Sequence, residues 1–455
     1  MRLEQALRVQ RGDVISFIGA GGKTSALIRL GQELAAQGWR VLATTTTRIA
    51  ASELAHVPLV LAIDDSSTSQ IDLASITNGL NTHNFVFLYS RIQGRKVLGV
   101  DADLISYLTD RVNSDVFLIE ADGSRQLPLK APYAHEPVVP PATTQVVLCA
   151  GMDVLGQPLA KEYVYNAEAM IQRYGYPVGA TIIWPWMASI LRDEQLGLLN
   201  ISAKLPITVL LNKVAGGTAL QRQARLIAGV LLRSPRIHGV IIGQMQAKSD
   251  PVYEVRRPVG AIILAAGKSS RMGQFKVLLP WGRATVLDAI IRQLYIARLD
   301  QIIVVTGRDA EQVQQVAQRC GVATVHNGDY AQGEMLSSVQ KGLQAFDARM
   351  DGALIVLGDQ PQLQSYVVSR MLDEYARGQG SIVIPSFQMR RGHPVLFSRR
   401  HWPALLDLSP GSSPRDLVNQ LAKEIAYVNV NTDSILQDID TPEDYQRALR
   451  RAGLS

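Results

Sequence analysis

Cysteine is almost missing from this chain: only Cys149 and Cys320 occur, far apart and outside any C-x-x-C pattern. That excludes a disulfide framework and a thiolate zinc site, and it fits a reducing compartment. The seven histidines lack metal-ligand spacing. No apolar run approaches the ~20 residues that a membrane-spanning helix needs. Residues 1–13 are polar and amphipathic, without a signal-peptide core. A charge stripe is lacking too: the formal net charge is +6, but the arginine pairs at 256–257, 390–391, 399–400 and 450–451 are scattered. Nucleic acid and membrane are therefore not expected partners, and a cytoplasmic protein is. What is present is ordinary globular material. With 455 residues, 47% of them apolar and 19% charged, the chain suffices for two or three domains with cores of their own.

The chain is organised around residues 262–276, IILAAGKSSRMGQFK. A short apolar run of the kind that fills a strand buried on both faces breaks into small residues and glycine, then ends with Arg271 and Lys276. A Gly-rich loop after a strand can turn backbone N–H groups toward an anion, and small side chains let a planar ligand lie close. The two cations supply charge for a triphosphate. For such a loop in isolation, an ordinary βα turn with solvated cations is the alternative.

The first half opens in a related way. An apolar run at 14–18 leads into Gly19-Ala20-Gly21-Gly22-Lys23-Thr24-Ser25, then into a helical pattern with Gly38 as its stop. This predicts a P-loop-like phosphate site in which the turn presents N–H groups, Lys23 adds charge and the Thr24 hydroxyl reaches magnesium. The full pattern wants glycine six residues before the lysine, and Phe17 stands there. A second strand runs into Thr44-Thr45-Thr46-Thr47, whose hydroxyls either line the site or are β-branched strand filler. A third run, 116–119, delivers Glu120 and Asp122 to a strand end, where a magnesium partner or a turn-capping carboxylate is expected. Asn212-Lys213 begins a guanine-reading pattern, but Ala215 replaces its aspartate. Trp184-Pro185-Trp186 matches no motif.

Polar, proline-punctuated residues separate the halves. The expected organisation is a nucleotide-binding domain at 1–247, a linker at 248–258 and a second α/β domain at 259–455. In the second half, strand and helix patterns alternate, predicting a mostly parallel sheet with its ligand beyond the carboxyl ends of the strands. Residues 351–357 carry Asp359 to such an end, with Gly358 leaving room, as a magnesium ligand or a structural turn residue. Thr441, Pro442 and Asp444 read as a helix N-cap, which leaves Asp440 as a second oxygen ligand. Arg390-Arg391-Gly392-His393-Pro394 suits either an anion clamp or a basic hairpin.

Two family resemblances rest on these segments. The first half, about 12–244, resembles the YqeC family of accessory proteins associated with selenium-dependent molybdenum hydroxylases, through GAGGKTS, TTTTR, EADGSRQLPLKAP and the LNK segment. That resemblance implies an ATP or GTP site at Gly19, Gly21, Gly22, Lys23, Thr24, Thr46, Glu120 and Asp122, and no particular reaction. The second half resembles the molybdenum cofactor cytidylyltransferase family, within the nucleotidyltransferase fold group. Its matching text is LAAGKSSRMGQFKVLLP, MLSSVQKGL, VLGDQP, RRGHPVLF, SPRDL and DIDTPEDY. One departure is Glu334, where the family runs glycine directly into methionine. The expected fold is thus two fused three-layer α/β domains, the first P-loop-like, the second Rossmann-like.

The second resemblance implies a magnesium-dependent transfer of CTP onto the phosphate of molybdopterin, since the LAAG form goes with cytidine. Arg271 and Lys276 would hold the phosphates. Leu264, Ala265, Ala266, Gly267, Lys268, Ser269 and Gly273 would surround the nucleotide, and Asp359 and Asp440 would bind Mg²⁺. Ser338, Arg391 and His393 are the pterin-side candidates, and a molybdenum hydroxylase apo-enzyme is the implied partner. Two alternatives stand beside this reading: a nucleotidyltransferase for another phosphorylated acceptor, and a non-catalytic chaperone that delivers the finished cofactor.

Overall fold

The computed structural model describes residues 1–63, 71–267, 272, 274–330 and 335–454. The chain divides into two compact units, Met1–Arg256 and Arg257–Ser455.

The main sheet of the first unit has nine strands: β1 (Asp13–Gly19), β2 (Val41–Thr45), β3 (Leu59–Ala62), β4 (Phe85–Tyr89), β5 (Val116–Glu120), β6 (Gln145–Gly151), β7 (Ile207–Asn212), β8 (Ile237–Gly243) and β9 (Val252–Arg256). Their spatial order is β9-β8-β7-β6-β1-β5-β2-β4-β3. Every pairing is parallel except β8 with β9. Parallel strands need both faces covered, and their apolar residues divide accordingly. Val14 and Ile18 pack into one cluster with the helices Leu73–His83, Ala102–Arg111 and Ala219–Leu231. Ile15 and Phe17 face the other way, into a cluster with α1 (Lys23–Ala35). Leu27, Leu30 and Leu34, three and four residues apart, are the apolar stripe that docks α1.

The seam differs from the expectation. Residues 252–256, assigned above to a linker, are the antiparallel edge strand β9 of the first unit. The charge that made them look like a linker is internal. Glu254 is fully buried and accepts from Gln221 at 2.7 Å, from Arg225 Nε at 2.9 Å and from Arg256 Nε at 3.0 Å. A buried carboxylate satisfied from several sides is compatible with a strand.

In the second unit the strands are β10 (Val259–Ala265), β11 (Gln301–Thr306), β12 (Ala323–His326), β13 (Gly352–Leu357), β14 (Ile382–Phe387), β15 (Arg390–Arg391), β16 (Val395–Ser398) and β17 (Ile425–Asn429). The order is β12-β11-β10-β13-β16-β14-β15, with β17 beside β14. Ala261, Ile263 and Ala265 face the helices Val286–Ile296, Ala310–Arg319 and Ser365–Arg377, while Ile262 faces Met335–Gln344. Both units are therefore three-layer α/β structures. The chain leaves β10 toward β11 on one side and β13 on the other, so a crevice opens beyond the carboxyl end of β10.

Candidate functional site

In the first unit the Gly-rich turn follows β1 as expected, but its first three N–H donors are already engaged. The N–H of Gly19 donates to Asp122 Oδ2 at 3.0 Å, that of Ala20 to the Cys149 carbonyl at 2.9 Å, and that of Gly21 to the Leu127 carbonyl at 3.0 Å. The turn is also too tight for side chains. A Cβ on Gly21, whose φ is +76°, would lie 2.1 Å from the nitrogen of Gly151.

Lys23 is buried rather than presented to solvent. Its Nζ donates to the Gly19 carbonyl at 2.7 Å and to Ser124 Oγ at 3.1 Å, and lies 3.2 Å from Asp122 Oδ1. Burial works against its ammonium, but Asp122 and then Glu120 outweigh it and hold the Lys23 pKa above its ordinary value. Lys130, equally buried, lies 3.1 Å from Asp122 Oδ2 and 3.0 Å from Glu136. Asp122 thus occupies the place in the turn where the sequence suggested a phosphate. The Thr24 hydroxyl donates to Glu120 Oε2 at 2.7 Å, and burial pushes the Glu120 carboxyl up to about 7. Beside Thr24 lies a cavity of about 580 Å³ lined by Ser25, Arg29, Ser52, Glu53 and His56.

The threonine run divides. Thr44 and Thr45 turn their hydroxyls inward, to the carbonyls of Leu88 and Glu120, as strand filler. The buried Thr46 Oγ1 has no hydrogen-bond partner.

In the second unit three segments meet beyond the strand ends. Strand β13 stops at Leu357, and the Gly358 N–H donates to the Leu264 carbonyl at 3.1 Å. A Cβ on Gly358 would lie 2.4 Å from that oxygen and 3.0 Å from Val277, so only glycine lets the chain pass here. The N–H of Ile439 donates to the Asp359 carbonyl at 3.0 Å, which ties the segment before the last helix to the strand end. Thr441 caps that helix, Pro442–Ala452, in a reciprocal pair with Asp444 and leaves Asp440 ahead of it. Lys276 Nζ donates to Asp440 Oδ1 at 2.6 Å and to Asp359 Oδ2 at 3.2 Å. Burial lifts the Asp359 pKa against the pull of Lys276, with Asp438 and Asp440 adding to the rise.

Two hard carboxylates that already share one cation suit a divalent ion. Among the described residues no group of three or more His, Cys, Asp or Glu side chains could hold a metal. Next to the acidic segment is a cavity of about 500 Å³, lined in part by Gln388, Arg390, Asp438, Asp440 and Arg447.

Comparison with known proteins follows the same division. The YqeC protein family matches residues 15–168, and the MobA-like NTP transferase domain matches residues 261–425. The uncharacterized protein YqeC of Escherichia coli (strain K12) is 36% identical over 192 residues, covering 42% of this chain and 72% of that protein. The molybdenum cofactor cytidylyltransferase of the same organism is 33% identical over 195 residues, covering 42% of this chain and 96% of that protein. This chain belongs to both families, YqeC in its first half and MobA-like nucleotidyltransferase in its second. The purine catabolism protein PucB of Bacillus subtilis (strain 168) is also similar to the nucleotidyltransferase half, at 28% identity over 200 residues, 42% of this chain and 95% of that protein.

Within the nucleotidyltransferase unit the sequence-predicted residues fall into three groups. Lys276, Asp359 and Asp440 come together. Lys268, Ser269, Arg271 and Gly273, with Glu334, lie outside the described residues. The rest range from buried to exposed. Ala265 and Ala266 are buried core residues, while Gly267 has no described residue within 4 Å of its Cβ position. Leu264 is half-buried against the core. Ser338 is buried and accepts from Asn327 at 3.0 Å, a structural contact rather than a pterin-side one. Arg391 is exposed on the short strand β15 with its guanidinium 5.3 Å from the Tyr427 ring centre, in keeping with the hairpin alternative. Burial lowers the His393 pKa against Asp438, and its Nδ1 has no hydrogen-bond partner among the described residues.

Sequence reasoning missed Asp438, which accepts from Gln360 at 2.6 Å, and in the YqeC unit Lys130, and it read Asn212 only as the start of a guanine pattern. Asn212 pins the Gly21 carbonyl at 2.9 Å and accepts the Met245 N–H at 3.0 Å, so the LNK segment braces the turn. The EADGSRQLPLKAP text contained the signal for Lys130, since it is the cation nearest in sequence after Asp122 on that segment apart from Arg125.

Proposed function

We propose that the nucleotidyltransferase unit converts the molybdopterin cofactor and CTP to the cytosine dinucleotide form of the cofactor and pyrophosphate. A terminal phosphate oxygen of the pterin attacks the α-phosphorus of CTP, and the bond from that phosphorus to the bridging oxygen of pyrophosphate breaks. A phosphate monoester is anionic at neutral pH, so no strong general base is needed. The work of the chain is positioning and charge neutralisation. Asp359 and Asp440 are the residues that would hold Mg²⁺, which when bound supplies charge neutralisation at the phosphates. Lys276 and Arg271 would draw the negative charge of the departing pyrophosphate, and Gly267 leaves room for the nucleotide.

The observation that carries this reading is the meeting of Asp359 and Asp440, from distant segments, on one ammonium at the strand ends. The likeness to the molybdenum cofactor cytidylyltransferase of Escherichia coli supports the choice of CTP and pterin. The test is pyrophosphate release by the purified full chain with magnesium and molybdopterin, across CTP, GTP, ATP and UTP. Release with CTP alone is expected. Release only with a sugar or alditol phosphate as acceptor, or none with any nucleotide, would defeat the reading in favour of one of the two alternatives.

For the YqeC unit we propose, in a cytoplasmic protein, an accessory role in maturation of a selenium-dependent molybdenum hydroxylase, with ATP or GTP as ligand. Because the N–H groups of residues 19–21 are engaged, the phosphates would meet the first turn of α1 at Thr24. Magnesium would then be held by Thr24 and Glu120. Thr24→Ala should abolish nucleotide binding by this unit, measured by titration calorimetry on the full chain; undiminished binding would place the ligand elsewhere.

A further inference from the structure

The transferase reading puts Lys276 on the phosphates of the donor, yet its ammonium sits elsewhere. Nζ lies 2.6 Å from Asp440 Oδ1 and 3.2 Å from Asp359 Oδ2, the two carboxylates assigned to the metal. Two cations on the same pair of oxygens repel strongly in a half-buried crevice, so ammonium and metal are alternatives there. The ammonium is well held, because Nζ donates a hydrogen bond to each carboxylate.

The backbone under Lys276 is anchored independently of its side chain. Lys276 opens a single turn, Lys276–Leu278, whose middle residue Val277 and following residue Leu279 are buried in the core. Motion of the ammonium therefore needs only rotation of a four-carbon stem, not movement of the chain.

We infer that Lys276 is a placeholder cation. It neutralises Asp359 and Asp440 in the ligand-free protein, yields that position when metal and nucleoside triphosphate arrive together, and transfers to the phosphates. The destination of the lysine rests on the nucleotidyltransferase reading; its starting place does not. A metal ion arriving alone must displace the ammonium into water, whereas a metal–nucleotide complex brings new acceptors for it. Metal and nucleotide therefore bind with positive coupling, and Lys276 is the residue that couples them.

The test is Mn²⁺ binding to the full chain, followed by electron paramagnetic resonance of the free ion, with and without CTP. Wild type, Lys276→Met, and Lys276→Met combined with Asp440→Asn are compared, with Lys276→Gln and thermal melts to control for folding. Without nucleotide, Lys276→Met should bind Mn²⁺ about tenfold more tightly than wild type. The added Asp440→Asn should remove that gain, which separates this site from any in the first unit. CTP should tighten Mn²⁺ binding by wild type much more than by Lys276→Met. Equal or weaker Mn²⁺ binding by both lysine variants, or none by any protein, overturns the inference. If the gain appears but no nucleotide alters it or is transferred, the transferase reading fails and the placeholder stands. If CTP is transferred but the gain is absent, the reverse holds.

Discussion

The carboxylate of Asp122 accepts the backbone N–H of Gly19 at 3.0 Å, closing from within a turn that the sequence offers to a phosphate. The same carboxylate lies 3.2 Å from Lys23 and 3.1 Å from Lys130, so two buried ammonium groups share one side chain, with Glu120 and Glu136 completing the charge balance. Removing one partner of a buried charge cluster costs more than the net worth of the cluster, because the others stay buried and uncompensated. Asp122→Ala is expected to destabilise the first unit by about 3–5 kcal/mol. Chemical denaturation of the full chain, followed through the transition of that unit, measures it. A loss of under about 1 kcal/mol, the worth of an exposed pair, would mean that Asp122 is not what holds the lysines.

Glu120 gives the first unit a pH dependence of definite sign. Burial raises its pKa from the ordinary 4.5 to about 7, so between these values the folded protein holds a proton that the unfolded chain has lost. Its contribution is most favourable below the unfolded value and declines as pH rises through that window. Glu120→Gln should flatten this slope and gain on wild type between pH 5 and pH 8, read from denaturation midpoints at the two pH values. Parallel profiles for variant and wild type would contradict the raised pKa.

Asp359→Ala is expected to lower pyrophosphate release by about a hundredfold or more, the usual scale for losing a preorganised charge-stabilising group. The fold should persist, since the backbone link from the Ile439 N–H uses the Asp359 carbonyl and not its side chain. Near-normal release from a well-folded variant would remove Asp359 from the metal role.

At Gly358 the prediction is steric. A Cβ there would meet the Leu264 carbonyl at 2.4 Å, between two neighbouring central strands that cannot separate without cost. Gly358→Ala should lower stability by about 1–3 kcal/mol, the range for overpacking, and reduce activity with it as Asp359 is displaced. A thermal melt and a turnover assay on the same preparation check both effects.

The strands and the capped last helix were legible because their signals are local. The apolar runs at 14–18, 116–119 and 353–357 became β1, β5 and β13, and Thr441 caps its helix as its spacing with Asp444 suggests. Asp359 and Asp440 were legible as strand-end and pre-helix carboxylates, though not their shared contact with Lys276. What escaped was set by partners distant in sequence. Lys23 reads as a phosphate ligand until Asp122 and Ser124 are seen around it, and Glu254 reads as linker charge until Arg225 is seen behind it. Trp184-Pro185-Trp186 begins a helix, Trp184–Leu191, and Trp186 stacks 4.0 Å from Tyr176, a partner that no local pattern announces.

The edge strand β9 decides where this protein can be cut. It covers the hydrogen-bonding edge of β8, while the amine of Met1 donates to the Val252 carbonyl at 3.1 Å. A first half ending at residue 247 would leave β8 with an open row of backbone donors and acceptors, a template for a second copy. One ending at residue 256 would not. Light scattering on the two fragments should find the shorter one aggregated and the longer one monodisperse, so any attempt to separate accessory and transferase chemistry succeeds or fails on nine residues that look dispensable.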